Sequence, residues 1–391
     1  MLPFEEALRI VLDSARRLAG ERVDITQAVN RILAQDIKSD ADIPACDKAI
    51  FDGYACRRED LANELMIIET IRAGIQPKKA IGPNQCAKIM TGALMPKGAD
   101  CAIMVEFTEN PTSGTVRFVG EKTDDNIRRQ GEDIRAGQVV LPEGTRIRPQ
   151  HIAVLASVGR AQVPVAKRPR VGVIATGDEL VEPRAKPRPW QLRNSNSPQL
   201  AAQLESVGAV VTDYGVARDK AGDIDRTFKK AAAENDVVLV SGGVSMGDFD
   251  LVPGILKQNN IELLFEKIAL KPGKPTVFGI SENLYCFGVP GNPVSTFVVF
   301  ELLVKPFLYR LMGHDYQAPN VQMPAGESIK RKDTERQGWI PVTITDAATL
   351  KHVEYHGSAH INALSFADGL VSMGVGVAEI PKGTVVPVRL I

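Results

Sequence analysis

Between Val171 and Thr296 the sequence concentrates residues suited to holding anions and a divalent cation. Four short loops carry them: Thr176-Gly177-Asp178-Glu179, Ser241 through Asp250, Lys271-Pro272-Gly273-Lys274, and Gly288 through Ser295. Glycine in such loops lets backbone N–H groups approach an oxyanion closely. The carboxylates Asp178, Glu179, Asp219, Asp248 and Asp250 beside these loops offer oxygen ligands to a hard cation such as magnesium, which favours one or two carboxylates plus phosphate oxygens. Lys271 and Lys274 bracket a Pro-Gly turn, so both ammonium groups can converge on one anion. The set suits a phosphorylated ligand, a metal ion and a second anion. Competing uses exist: Asp178 and Asp248 are expected to cap helix starts or bond within their loops, and surface lysines are usually only solvated.

These loops need elements to position them. The first two follow the apolar runs Val171–Ala175 and Val237–Val240, which read as buried strands whose carboxyl ends face a ligand crevice. Ser197, followed by Pro198, is expected to cap a helix with Leu200, Leu204 and Val207 on one face. Val210–Gly215 reads as a strand, and Asp223 as the cap of a helix presenting Ile224, Phe228 and Ala231. A short helix near Leu251–Leu256, two strands flanking Lys271–Lys274 and a helix from Pro293 follow. This strand–helix alternation predicts a parallel sheet with helices on both faces.

Outside that stretch the pattern changes. Phe4–Leu18 has helical apolar spacing, and His151–Val158 reads as another helix. From Asp42 to Val140, short β-like runs (Cys86–Met90, Cys101–Glu106, Thr115–Val119) alternate with glycine turns. After Gly313, Val342–Thr345 and Val385–Arg389 are strand-like. The expected division is an N-terminal helical and linker part (residues 1–41 and 141–167), a β-rich part (42–140), an α/β part (168–313) and a small C-terminal β domain (314–391).

Across 391 residues, 47 Lys+Arg balance 47 Asp+Glu. That balance argues against nucleic acid as a partner, so any anion site must be local. The five cysteines are odd in number and lack a C-x-x-C pair, which fits free thiols in the cytoplasm. Neither a signal peptide nor a membrane span is expected: the longest apolar run, Phe297–Val304, is broken by Glu301. His352, His356 and His360 recur every four residues, but Gly357 and the β-like surroundings interrupt the helix that would align them on a metal.

Taken in order, the motifs resemble those of the molybdopterin molybdenumtransferase family, the insertases that complete the molybdenum cofactor. The matching residues span nearly the whole chain: Phe51-Asp52-Gly53-Tyr54-Ala55, Ile89 through Ala93, Gly98 through Cys101 and Gly131 through Ile134 in the β-rich part. They continue with Thr176 through Leu180, Arg218-Asp219, Ser241 through Ser245, Asp250, Lys267, Lys271 through Pro275, Val289 through Ser295, and Gly357-Ser358. One departure is Ala49-Ile50-Phe51, where the family often has Ser-Ala-Met, which removes a serine hydroxyl.

The resemblance implies a homodimer with its active site between subunits, a β-rich lid and a central parallel α/β molybdopterin-binding domain. Asp52, Thr91 and Asp133 would serve from the lid, with Glu179, Asp219, Asp250, Lys267 and Lys271 from the α/β domain. Thr176, Gly177, Ser241, Gly242, Gly243, Ser245, Pro290, Gly291, Asn292 and Pro293 would bind molybdopterin. Lys271, Lys274, Ser295, Arg336 and Ser358 would form the molybdate pocket. Glu179 and Asp250 would hold Mg2+. The implied reaction inserts molybdate into adenylylated molybdopterin and releases AMP, with transient contact to other cofactor-biosynthesis proteins. Alternatives on the same α/β domain are a molybdopterin adenylyltransferase or nucleotide hydrolase, or a non-catalytic molybdopterin-binding scaffold. The lid motifs and Gly357-Ser358 favour the insertase.

Overall fold

The computed structural model describes residues 1–244 and 251–391. At its centre lies a six-stranded sheet in the order Val210–Ala217, Arg170–Thr176, Val237–Ser241, Tyr285–Val289, Val277–Ile280, Glu262–Phe265. The first four strands are parallel. Both faces of the inner strands are apolar and covered. Val171, Val173, Val237 and Leu239 pack with Leu200, Leu204, Val294 and Val298 on one side. Ile174, Val238 and Val240 pack with Ile224, Phe228, Ala231 and Ile255 on the other. Continuous Val/Ile/Leu runs are what a two-face burial requires.

The expectation of an all-parallel sheet needs one correction. Val277–Ile280 runs antiparallel to Tyr285–Val289, and Glu262–Phe265 runs antiparallel to Val277–Ile280. Only residues 281–284 separate the first pair, too few for a crossover, so the chain must turn back on itself.

Several local expectations also shift. The first helix is Phe4–Asp13, shorter than the apolar spacing to Leu18; Ser14 caps its C-terminus, with its N–H and hydroxyl both on the Ile10 carbonyl. Asn196–Ser206 begins before Ser197. That serine is buried and exchanges two hydrogen bonds with the Asn194 side chain instead of capping. Lys220, not Asp223, occupies the cap of Ala221–Glu234; Asp223 sits in the first turn and pairs with Arg226.

The β-rich segment forms a second six-stranded sheet: Cys101–Met104, Gly53–Cys56, Gln85–Ile89, Glu64–Ile71, Thr115–Phe118, Thr108–Glu109. Strands Gly20–Asp24 and Gln162–Ala166 pair antiparallel, joining the two halves of the N-terminal part around Leu33, Leu155, Val163 and Val165.

A third six-stranded sheet gathers the C-terminal strands Gln337–Ile344, Gly369–Met373, Val385–Leu390 and Asn320–Pro324, with Leu350–His352 paired on Gln337–Ile344. Its edge strand is Leu270–Lys271, which runs parallel to Gln337-Gly338. The Lys271 turn is thus held by the C-terminal sheet although its sequence neighbours belong to the central one. Among the described residues, no helix is long and apolar enough to cross a membrane.

Candidate functional site

The parallel strands end in register, with Ala175 opposite Ser241, Thr176 opposite Ala217 and Ser241 opposite Val289. The loops leaving those ends enclose a cavity of about 670 Å3. Eleven sequence-predicted residues line it: Thr176, Gly177, Glu179, Asp219, Ser241, Gly242, Gly243, Pro290, Gly291, Asn292 and Pro293. Gly242 has φ +96°, and a Cβ there would stand 2.7 Å from the Thr176 carbonyl oxygen. Only glycine lets this loop close over the end of the first strand.

The cavity floor is polar and incompletely paired. Among the described residues, Thr176 Oγ1 and Asn196 Oδ1 are buried without a hydrogen-bond partner. Both residues line the cavity, so a polar ligand would satisfy them. Asn196 Nδ2 donates to Ser241 Oγ and to the Gly291 carbonyl, each at 2.8 Å, so this side chain bridges two of the glycine loops. Sequence reading missed Asn196. Its signal was the polar run Asn194-Ser195-Asn196-Ser197 opening a helix, which reads there as capping chemistry.

On the acidic rim, Glu179 folds its carboxylate against Gly177. The Asp178 N–H donates to Asp219 Oδ2 at 3.2 Å, and the Asp219 N–H to Asp178 Oδ1 at 3.4 Å. This exchange locks the two acidic loops together. Glu179 and Asp219 thereby share one cavity and could serve one cation. Ser245 and Asp250 lie outside the described residues, as does Asp248. No group of three or more His, Cys, Asp or Glu poised for a metal occurs among the described residues.

A cationic cluster stands beside the cavity, joined to it by Pro275, which lines the cavity one residue beyond Lys274. Pro272 and Gly273 are buried, Lys271 is half-buried and Lys274 is exposed. Gly273 has φ +126°, and a Cβ would meet Val299 Cγ2 at 2.8 Å. The turn is thus pressed onto the helix Pro293–Val299, which carries the buried Ser295. Lys271 Nζ lies 3.1 Å from Asp333 Oδ2, and Arg336 donates to the same oxygen. Arg336, and then Lys271, hold the Asp333 carboxyl well below the usual carboxylate range. Asp333 is the second residue that sequence reading missed. Ser358 reaches the cavity rim by accepting a hydrogen bond from Asn292 Nδ2 at 2.9 Å. Lys267 is half-buried and does not line the cavity.

The lid residues stand apart. Asp52 Oδ1 accepts from both the N–H and the hydroxyl of Thr91 at 2.7 Å, which lowers the Asp52 pKa. Asp133 pairs with Arg128, whose strand is registered on Lys48-Ala49 just before Asp52. None of these three residues lines the cavity in the same chain. Ile50 and Phe51 next to Asp52 are exposed.

Comparison with known proteins follows this geometry. Residues 2–159 match the family described as MoeA N-terminal region (domain I and II), and residues 172–310 match the probable molybdopterin binding domain. The chain is 36% identical to a protein of Staphylococcus epidermidis named molybdopterin molybdenumtransferase, covering all of this chain and 95% of that one. A protein of that name from Bacillus subtilis is 33% identical, with 100% and 94% covered. The crystal structure of the molybdopterin biosynthesis moeA protein from Pyrococcus horikoshii OT3 superposes over the full length of both chains with TM-score 0.87 at 30% identity.

Proposed function

This chain belongs to the molybdopterin molybdenumtransferase family and inserts molybdenum into molybdopterin; we propose that its two adjoining clusters divide that work. The observation that carries the division is the placement of a glycine-walled cavity with an acidic rim beside the cationic Lys271–Arg336 cluster.

In this reading adenylylated molybdopterin occupies the cavity. Its phosphates lie along Gly242 and Gly243 near the start of the helix Asn196–Ser206, where backbone N–H groups and the helix dipole favour negative charge. Thr176 Oγ1 and Asn196 Oδ1 hydrogen-bond the ligand and fix its orientation. Glu179 and Asp219, with Asp250, are the residues that would hold Mg2+. Bound there, that ion would neutralise pyrophosphate oxygens during AMP release. Molybdate binds at Lys271, Lys274 and Arg336, with the hydroxyls of Ser295 and Ser358 directing its oxygens. Catalysis is then mainly positioning of two anions side by side at compensated charge.

The lid (residues 42–140) acts on the site of a second copy. Asp52, Thr91 and Asp133 are exposed, as are Ile50 and Phe51 beside Asp52, which supports docking across a homodimer. The protein works in the cytoplasm, with transient contacts to other cofactor-biosynthesis proteins. The test is to incubate the protein with adenylylated molybdopterin, Mg2+ and molybdate, following AMP by chromatography and pterin-bound molybdenum by elemental analysis. AMP and molybdenum transfer appearing together supports the reading. AMP without transfer would make it a hydrolase, and neither would make it a scaffold.

A further inference from the structure

Asp333 is bound in an unusual way for a surface carboxylate. Its Oδ2 is shared by two cationic donors, Lys271 Nζ at 3.1 Å and an Arg336 guanidinium nitrogen, while its Oδ1 accepts the Glu335 N–H at 3.1 Å. The Glu335 bond anchors one oxygen to the chain and leaves the other aimed between the two cations. Arg336 is further restrained, its second nitrogen reaching the Leu270 carbonyl at 3.5 Å. Leu270–Lys271 is itself pinned to the strand that begins at Gln337. The two cations therefore face one another across a fixed gap, and a carboxylate oxygen fills it.

We propose that Asp333 is a tethered competing anion whose Oδ2 takes the place of one molybdate oxygen, so that molybdate binds by displacing it. The proposal rests on the molybdate site assigned above and names the residue that sets its affinity. A single oxygen bridging an ammonium and a guanidinium has the same donor geometry as an oxo group of a tetrahedral dianion. Being covalently attached, the carboxylate acts at a high effective concentration, and an external anion must outbid it. Charge supports the same picture. Lys271 and Arg336 bear two positive charges against the single negative charge of Asp333, and Arg331 adds a further cation nearby, so the site keeps a positive excess for an incoming anion. Asp333 thus makes the site accept molybdate and also release it for transfer.

Molybdate binding to the full-length protein is measured by isothermal titration calorimetry for wild type, Asp333→Asn, Asp333→Ser and Asp333→Glu, alongside the half-saturating molybdate concentration in AMP release. Thermal melts verify that each variant is folded. Both neutral variants should bind molybdate roughly three- to thirtyfold more tightly than wild type. Their half-saturating molybdate concentration should fall without a rise in maximal rate, and Asp333→Glu, which keeps a competing carboxylate, should stay near wild type. A residue that merely orients Lys271 and Arg336 would instead weaken binding on neutralisation. Weakened or unchanged affinity in the neutral variants overturns the proposal. Wild type that binds no molybdate at all would bring down the site assignment itself, a result distinct from unchanged affinity in a wild type that binds.

Discussion

Asn292 Nδ2 donates to Ser358 Oγ at 2.9 Å, and the Ser358 carbonyl accepts the Val294 N–H at 3.1 Å. Two residues 66 positions apart thereby stitch the C-terminal segment onto the loop that rims the ligand cavity. The bond matters because it brings the Ser358 hydroxyl onto Asn292, a residue that lines the cavity.

Ser358→Ala removes the hydroxyl but leaves the backbone bond to Val294. One neutral hydrogen bond contributes roughly 0.5–1.5 kcal/mol. The half-saturating molybdate concentration should rise about two- to tenfold, while AMP affinity, measured by calorimetry, stays close to wild type. An equal loss of both affinities would place Ser358 on the nucleotide side instead.

Gly242→Ala tests the cavity wall. The backbone is left-handed there, and the new methyl would press on the Thr176 carbonyl. Strained backbone of this kind costs of order 1–3 kcal/mol. Urea unfolding should show a loss in that range together with weakened AMP binding. A variant with wild-type stability and AMP affinity would show that the loop does not need glycine.

Acid titration tests the Asp333 bridge. Its folded-state pKa is depressed, first by Arg336 and then by Lys271. A depressed carboxylate stabilises the fold above its unfolded value of about 3.9, and that contribution disappears as pH falls through the lower folded value. Wild type should therefore melt higher than Asp333→Asn at pH 7, and the gap should shrink steadily below about pH 4. A gap that persists undiminished to pH 2 would contradict the ionic pairing.

The first two glycine loops were legible because each follows a short, wholly apolar run, Val171–Ala175 and Val237–Val240, and burial on both faces leaves a parallel-sheet signature in the sequence. Eleven loop residues consequently fall around one cavity. Asp333 was not legible for the opposite reason. Its contact with Lys271 spans 62 residues and depends on a two-residue strand, Leu270–Lys271, joining the C-terminal sheet. Nothing local marks so short a pairing. Asn196 was passed over because the cap was assigned to its neighbour Ser197, and only the folded loops show it reaching Ser241 and Gly291. The antiparallel edge hairpin followed from a connection length, 281–284, rather than from periodicity.

The lid makes a separable prediction. Asp52→Ala and Lys271→Ala proteins should each be inactive alone. Co-expressed, they should regain AMP release, because mixed dimers contain one site with an intact lid and an intact cationic cluster. Light scattering should report a dimer at micromolar concentration. A fully active monomer, or co-expressed variants that stay inactive, would show that each chain completes its own site.

The division of labour between the two clusters is tested most directly by comparing Glu179→Gln with Lys274→Ala, each assayed for AMP release and for molybdate binding. Glu179 lines the ligand cavity, whereas Lys274 is an exposed lysine of the neighbouring turn. Glu179→Gln should lose AMP release and bind molybdate as wild type does. Lys274→Ala should raise the half-saturating molybdate concentration by about ten- to hundredfold, as loss of one charge-assisted bond implies, with AMP affinity and melting temperature little changed. Parallel loss of both properties in both variants would contradict two adjoining sites and leave a single, undivided one.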